Sequence, residues 1–451
     1  MRKIIQYMMM ALIAVVLASC ANDISEESTP TVKSNIRFVV DDFPMFEKPS
    51  TRTIGEEDKG KTAWAVGDEI CVKLESKELG TQTATLKYNG VKFELQDGNS
   101  LCYLDGEPVT AYAYYAPNRK WLNDGNLGYK DGEHDGTAEF LEATCTVHYG
   151  DDNYVDISFA NATRNYSRLR IATMPNMPIT VDIDRYTPAG SSDMKWDQNY
   201  ALTSDEKGNA YLYGTFENNS EVTVKYREAT LATHTFLQKT ENAMSYALDA
   251  TVISANSAEE IKSAIEQKVA DGKTTIRLNL APNAGTDEFM AIREAIKGAA
   301  PNDEGTIELT IIGVETIPEE AFKRMSQLKS VKMPDVKEIK KYAFSECIYL
   351  TVVEAPSLNK LNSGAFNKCN LLSKLTFGPI NYADARYWPI FEDITPNIDL
   401  ILSDYQKEMI KTDDDLYTAN NDIDYALSNK HLNKNFLGHE FKSITCRMKV
   451  E

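Results

Sequence analysis

The side chains best suited to chemistry are scattered along this chain. Its five histidines, His134, His148, His234, His431 and His439, lie far apart and form no H-E-x-x-H pair that would hold zinc. No G-x-S-x-G nucleophile turn, phosphate loop or dinucleotide fingerprint occurs. Asp131-Gly132-Glu133-His134-Asp135-Gly136 gathers metal-ligand types but lacks the alternating oxygen donors that wrap calcium. No C-x-x-C pair exists among the cysteines. Carboxylates abound, yet no spacing singles out an acid and base pair for glycoside hydrolysis. We therefore expect no catalysis, no cofactor and no metal, which leaves binding as the chain's work.

Binding needs side chains held in a fixed array, and one stretch supplies the means. Ala321-Phe322, Ala343-Phe344 and Ala365-Phe366 recur at a step of 22 residues. Ile317, Ile339 and Leu361 keep that step ahead of them, and Leu328, Leu350 and Leu372 keep it behind. Val331, Val353 and Leu375 continue the register, followed by Met333, Ala355 and Phe377. A unit this short buries its apolar face only against its neighbours, so the period predicts a solenoid over residues 305–380. Strands in such a stack lie about 4.8 Å apart and turn alternate side chains outward. Two outward columns follow: Thr310, Lys332, Glu354 and Thr376 in one, Glu308, Ser330, Val352 and Lys374 in the other. They form the candidate ligand face. Mixed charge and the lack of an aromatic ring argue against a dedicated anion site and against sugar stacking, and suit either contact with a protein or no contact at all. Cys347 and Cys369 stand one period apart where the first copy has Met325, so they read as packed thiols and not as a disulfide.

The pattern A-F-x-x-C-x-x-L-x-x-V-x-x-P, as in Ala343 to Pro356, resembles the BspA-like leucine-rich repeat, a family of bacterial surface proteins. The resemblance implies adhesion or recognition, with a host or bacterial surface protein or glycan as partner. Ahead of the repeats, residues 254–304 predict two helix-strand units that cap the stack. Ser257-Ala258-Glu259-Glu260 has capping-box spacing, and Ile261, Ala264, Ile265 and Val269 share one helical face. A second helix carries Phe289, Ile292 and Ile296 and is expected to stop at Gly298. Residues 381–451 read as a C-terminal cap, with strands around Leu400 and Ile444.

Residues 35–253 alternate as short strands do, in Ile36-Phe38-Val40, Ile70-Val72-Leu74 and Val222-Val224-Tyr226, with Asp-Gly turns between them. One or two antiparallel β-sandwiches fit that length. Trp64 ahead of Gly67-Asp68 can plug the end of a sandwich, and Trp121 and Tyr129 offer an aromatic surface that rivals the repeat columns. Thr51-Arg52-Thr53, Trp64-Ala65-Val66-Gly67-Asp68-Glu69-Ile70 and Ala113-Tyr114-Tyr115-Ala116-Pro117 resemble landmarks of the fimbrillin-like family. The resemblance implies proteolysis after Arg52 and a groove that accepts a strand from other fimbrial subunits. This chain departs from that pattern, because a folded repeat domain follows the sandwich region directly.

Arg2 and Lys3, an apolar run from Met8 to Leu17 and the ending Leu17-Ala18-Ser19-Cys20 describe a secretory signal over residues 1–19. The ending resembles a bacterial lipobox, which implies that Cys20 is the lipidated first residue, anchored in the outer membrane. Residues 20–34 then form a polar tether, expected to be disordered. Its Ser25-Glu26-Glu27 resembles the export signal of Bacteroides-type lipoproteins and implies display on the cell surface. A net charge of −19, more negative still once Arg2 and Lys3 leave, repels phosphate backbones and excludes a nucleic-acid partner. The fold class read from these features is multi-domain: an N-terminal all-β region followed by an α/β leucine-rich-repeat solenoid. The expected function is a surface adhesion or recognition lipoprotein that shows its repeats on a fimbrillin-like stalk. A fimbrial accessory or tip subunit cut at Arg52, and a glycan-capture component of an uptake system, are the alternatives.

Overall fold

A computed structural model describes residues 32–446, apart from 34–35, 50–58, 97, 99, 105, 151–152, 161–162, 228, 301, 385–388, 403–434 and 438. Cys20 and Arg52 lie outside the described residues. Two β-sandwiches come first. In the first, Glu69–Ser76 pairs antiparallel with Gly80–Tyr88 and with Val109–Tyr115. The facing sheet holds Thr144–His148, Tyr154–Ser158 and Arg37–Val40. Period-two alternation puts Ile70, Val72 and Leu74 inside, where they meet Phe38, Val155 and Ile157 from the other sheet. Val32–Lys33, placed by composition in the 20–34 tether, instead pair with Leu104 and Tyr103. Their polar flank hides a backbone that finds a strand to bond.

The second sandwich stacks a sheet centred on Ser167–Ala172 and Asn209–Phe216 against one ordered Gln198–Thr203, Pro178–Ile183, Ser220–Tyr226 and Ala229–Phe236. Leu169, Leu212, Val181 and Val224 fill its core. So the length that allowed one or two sandwiches holds two.

The chain before Arg52 serves both sandwiches. Arg37–Val40 is an edge strand of the first, while Glu47 bridges Met244 of the second in parallel. Between them Phe46 is fully buried, with the Arg164 guanidinium 3.9 Å from its ring centroid. Arg164 Nη2 donates to Glu139 Oε2 at 2.7 Å, both groups withdrawn from water. Burial holds Glu139 above the usual carboxylate range, and the neighbouring Arg164 opposes that pull.

An eight-stranded parallel sheet follows, from Ile253–Ala255 through Thr275–Leu280, Ile307–Ile312 and the 22-residue copies to Ser443–Cys446. Two helices cover its start, Ala258–Ala270 and Thr286–Ala299. Ser257 Oγ accepts from the Glu260 amide at 3.3 Å, while the Glu260 carboxylate reaches past the cap to the Asn256 amide at 2.7 Å. The second helix runs to Ala299, so Gly298 does not end it; within the final turn glycine costs helix stability without breaking the hydrogen bonds.

In the core, Phe322, Phe344, Phe366 and Phe391 stack with ring centroids 5.2, 5.4 and 5.6 Å apart. Phe289 meets the near end edge-on. Each copy turns through left-handed backbone at two fixed positions, Glu320, Tyr342 and Gly364 at one and Arg324, Glu346 and Lys368 at the other. Only glycine adopts that conformation freely, so packing holds the other five there. Cys347 and Cys369 are buried free thiols that donate to the Phe322 and Phe344 carbonyls at 2.9 and 3.1 Å.

Replacing Phe344 by Ala opens a hole in the middle of the stack and should cost about 3–5 kcal/mol, read as a lower urea midpoint for the repeat domain. Burial pushes the Cys347 thiol up to about 12, so it stays protonated and unreactive to iodoacetamide at pH 8.5 until the domain unfolds. Because this pKa is raised from 9.0, the thiol's contribution is intact below pH 9 and is lost as pH climbs toward 12. Rapid alkylation of the native protein would contradict this packing.

Candidate recognition surface

Inward residues fix which side chains face out. Leu309, Val331, Val353, Leu375 and Leu400 form one buried row, with Met333, Ala355, Phe377 and Leu402 as another. Strand register then aligns Thr310 with Lys332, Lys332 with Glu354 and Glu354 with Thr376. The neighbouring column runs Glu308, Ser330, Val352 and Lys374, as the 22-residue step predicts. The columns extend beyond the repeats, because Arg277 pairs with Thr310 and Ile401 with Thr376. Arg277 is absent from the sequence-derived face. The step from 277 to 310 breaks the period, although the alternation of Ile276, Leu278 and Leu280 already points Arg277 outward.

The two columns do not form one open face. Thr310, Ser330 and Thr376 are buried, at 3, 7 and 6% exposure. For the first two the cause is the second sandwich, whose edge strand Ala229–Phe236 reaches the sheet. Arg277 Nε donates to the Leu231 carbonyl at 2.7 Å, and Lys332 Nζ to that of Thr230 at 3.1 Å. Burial pulls the Arg277 guanidinium below the usual arginine range, while Asp249 and Glu308 oppose that shift. A cleft of about 340 Å³ remains between Leu231, Asp249, Arg277, Glu308 and Lys332. Glu308 is itself paired with Lys329 at 2.8 Å. Thr376 lies between Glu354 and Ile401 in its column. Glu308, Lys332, Val352, Glu354 and Lys374 keep partial exposure; the first two border the joint, so Val352, Glu354 and Lys374 are what remains of the expected surface clear of it.

Two more contacts lock this joint. Ile312, the last residue of strand Ile307–Ile312, packs its side chain into the second sandwich's core. The next residue, Gly313, has φ +90°, and a Cβ there would lie 2.3 Å from the Leu280 carbonyl, so glycine is required. Its amide donates to Asp335 at 2.8 Å, and Asp335 is ion-paired with Arg227 of the sandwich.

The other residues of interest are spoken for. Trp64 packs edge-on against Phe43, Phe93 and Tyr115 and donates to the Asp41 carbonyl at 2.7 Å. Trp121 is part-buried and donates to the Ala84 carbonyl at 2.8 Å, which removes it from the aromatic surface it was expected to share with Tyr129. Tyr129 is more open, with Arg119 over its ring. A larger exposed aromatic is Trp196, at 59% exposure, which alternation alone does not mark. His148 stacks on Tyr154 and bonds Asp156 at 2.9 Å. Burial lowers His234 and His439 below the usual imidazole range. Among the described residues no three His, Cys, Asp or Glu side chains cluster as a metal site. Asp131 pairs with Lys120 at 3.2 Å.

Residues 306–387 match the BspA type leucine rich repeat region, in six copies. No curated protein matches the chain. Among solved structures, a variant of the shaft pilin SpaA from Lactobacillus rhamnosus GG is 12% identical and covers 49% of this chain and 97% of its own, with a TM-score of 0.20. The unsubstituted pilin is 13% identical over 48% of this chain and 98% of its own, with a TM-score of 0.17. Superposition at that level carries no argument. The leucine-rich repeats therefore rest on their own register and on the family match.

Replacing Arg277 by Met leaves the Leu231 carbonyl without its donor and should weaken the joint by about 1–3 kcal/mol. Arg227→Ala removes a half-exposed ion pair and should cost less than about 1 kcal/mol. Hydrogen exchange in Ala229–Phe236 reads both: faster exchange in Arg277→Met than in Arg227→Ala is expected, and equal protection in the two would reject the docking.

Proposed function

We propose that the chain is a lipid-anchored cell-surface protein for adhesion or recognition, with tandem sandwiches as stalk and the leucine-rich repeats as display surface. The observation that carries this reading is the continuous parallel sheet, matched over 306–387 to the BspA type, whose outward columns stay accessible beyond Lys332 at Val352, Glu354 and Lys374. A surface of this kind recognises by complementary charge and shape and needs no catalytic group. The signal segment, Cys20 and the acidic tether support anchoring at the outer membrane and display outside it.

A second reading is favoured by the chain before Arg52. Arg37–Val40 is an edge strand paired in parallel with Tyr154–Ile157, and Phe38, Phe43 and Phe46 plug the core. Removal of that segment by a cut at Arg52 would bare a sheet edge and an apolar groove, which a strand from another chain can fill. The protein would then act as an accessory or tip subunit of a fimbria.

Mass spectrometry of the native N-terminus separates the two: a lipidated Cys20 is expected from the anchored adhesin, whereas a start after Arg52 would transfer the lead to fimbrial assembly. The charge-reversed pair Glu354→Lys with Lys374→Glu keeps the net charge and changes only part-exposed side chains. It should reduce attachment of the producing bacterium to epithelial monolayers and to other bacteria without shifting the unfolding midpoint. Unchanged attachment would remove the repeat columns as the binding surface.

A further inference from the structure

The cleft of about 340 Å³ between the edge strand Ala229–Phe236 and the repeat sheet holds more hydrogen-bond donors than the joint uses. That volume lies within the range of small-ligand sites. Arg277, Thr310 and Lys332 follow one another in a single outward column, in steps of about 4.8 Å. A hydroxyl thus sits between two cations. Arg277 uses only Nε, on the Leu231 carbonyl, so its two terminal nitrogens make no hydrogen bond or ion pair among the described residues. Lys332 donates to one carbonyl and to no carboxylate among them. Thr310 and Ser330 are 3 and 7% exposed, yet neither hydroxyl has a hydrogen-bond partner among the described residues, and neither is sealed from solvent. Both line the cleft, where water or a ligand must complete their hydrogen bonds.

The charges on the walls decide what fits. Arg277 and Lys332 face Asp249 and Glu308 across the same space. The carboxylates are already engaged: Glu308 Oε1 accepts from Lys329 Nζ at 2.8 Å, and Asp249 Oδ1 from the Thr251 amide at 2.9 Å, with the charge of Lys268 acting on it as well. Among the described residues the two cations hold only neutral carbonyls. An incoming carboxylate would therefore find a guanidinium fork, an ammonium and two hydroxyls, a donor set that grips a planar oxyanion through charge-assisted bonds. A doubly charged oxyanion would meet the two wall carboxylates, which disfavours phosphate and sulfate. No aromatic ring lines the cleft among the described residues, so a flat apolar acid has nothing to stack on. Thr230, Thr233 and Thr275 add hydroxyls to the walls, and these suit a ligand with hydroxyls of its own.

We propose that this cleft binds a small hydroxylated monocarboxylate, a sugar acid, whose carboxylate lies between Arg277 and Lys332 against the Thr310 and Ser330 hydroxyls. The inference goes beyond the adhesion reading and does not depend on it, because Val352, Glu354 and Lys374 lie outside the cleft. Arg277 and Lys332 also hold the joint, so the two hydroxyls are the positions at which the site can be tested with the joint left in place.

The test is isothermal titration calorimetry of the full chain with glucuronate and N-acetylneuraminate, alongside glucose, glycine and inorganic phosphate. At least one sugar acid should bind, and more tightly than the other three probes. Thr310→Val and Ser330→Ala each remove a hydroxyl that has no protein partner, so each should lower that affinity about tenfold at an unchanged unfolding midpoint. No binding of either sugar acid overturns the site, as does equal affinity in wild type and both variants. Glucose binding as tightly as the acids would reject the carboxylate contact, and tighter binding of phosphate or glycine would reject the ligand class. A lower unfolding midpoint in both variants would make the hydroxyls part of the fold and reject them as ligand contacts. The adhesion reading stands or falls separately, on the exchange of Glu354 and Lys374.

Discussion

Each repeat of this protein is stable only because the next repeat covers it. A 22-residue copy contributes two short strands, one stacked phenylalanine and two left-handed backbone positions, too little to exclude water by itself. Stacking converts these fragments into a continuous core, with Phe322, Phe344, Phe366 and Phe391 ring on ring and the strand bonds running from copy to copy. The same stacking sets the outward columns, since a strand that turns Val353 inward must turn Glu354 out. Core and surface are two results of one register.

A stack has two ends, and this chain closes the first with structure of a different kind. The helices at Ala258–Ala270 and Thr286–Ala299 lay Ile261, Ile265, Phe289 and Ile292 over the opening copies. The second sandwich then covers the outward face of those copies. Arg277 and Lys332 give their hydrogen bonds to carbonyls of the Ala229–Phe236 edge strand, and Ile312 crosses into the sandwich core. An exposed strand edge is an invitation to aggregate, and here the repeat domain's own cations occupy it. The joint therefore protects an edge and orients the accessible part of the repeat face at once.

The sandwich-to-sandwich joint is built from different chemistry. Phe46 fills the gap, and the ion pair of Arg164 with Glu139 closes over it away from water. Such a pair adds little net stability against an apolar filling, but removal of either partner strands a buried charge. It therefore favours one arrangement of the two sandwiches, and that arrangement creates the cleft beside Glu139.

The repeat period, the inward and outward positions of every copy, the capping helices and the buried state of Cys347 and Cys369 were all legible in the amino-acid sequence. Each is a local consequence of side-chain type at a fixed spacing. What tertiary structure alone decided was contact between segments far apart in the chain. No periodicity tells Thr310 and Ser330 that the strand at Ala229–Phe236 will cover them, or places Glu139 across a cleft from Asn209. Arg277 joins the column through a longer, irregular step, and Val32–Lys33 pair despite a polar context, because backbone hydrogen bonds do not depend on side-chain pattern. Periodicity records which way a side chain points; only the folded chain determines what it meets there.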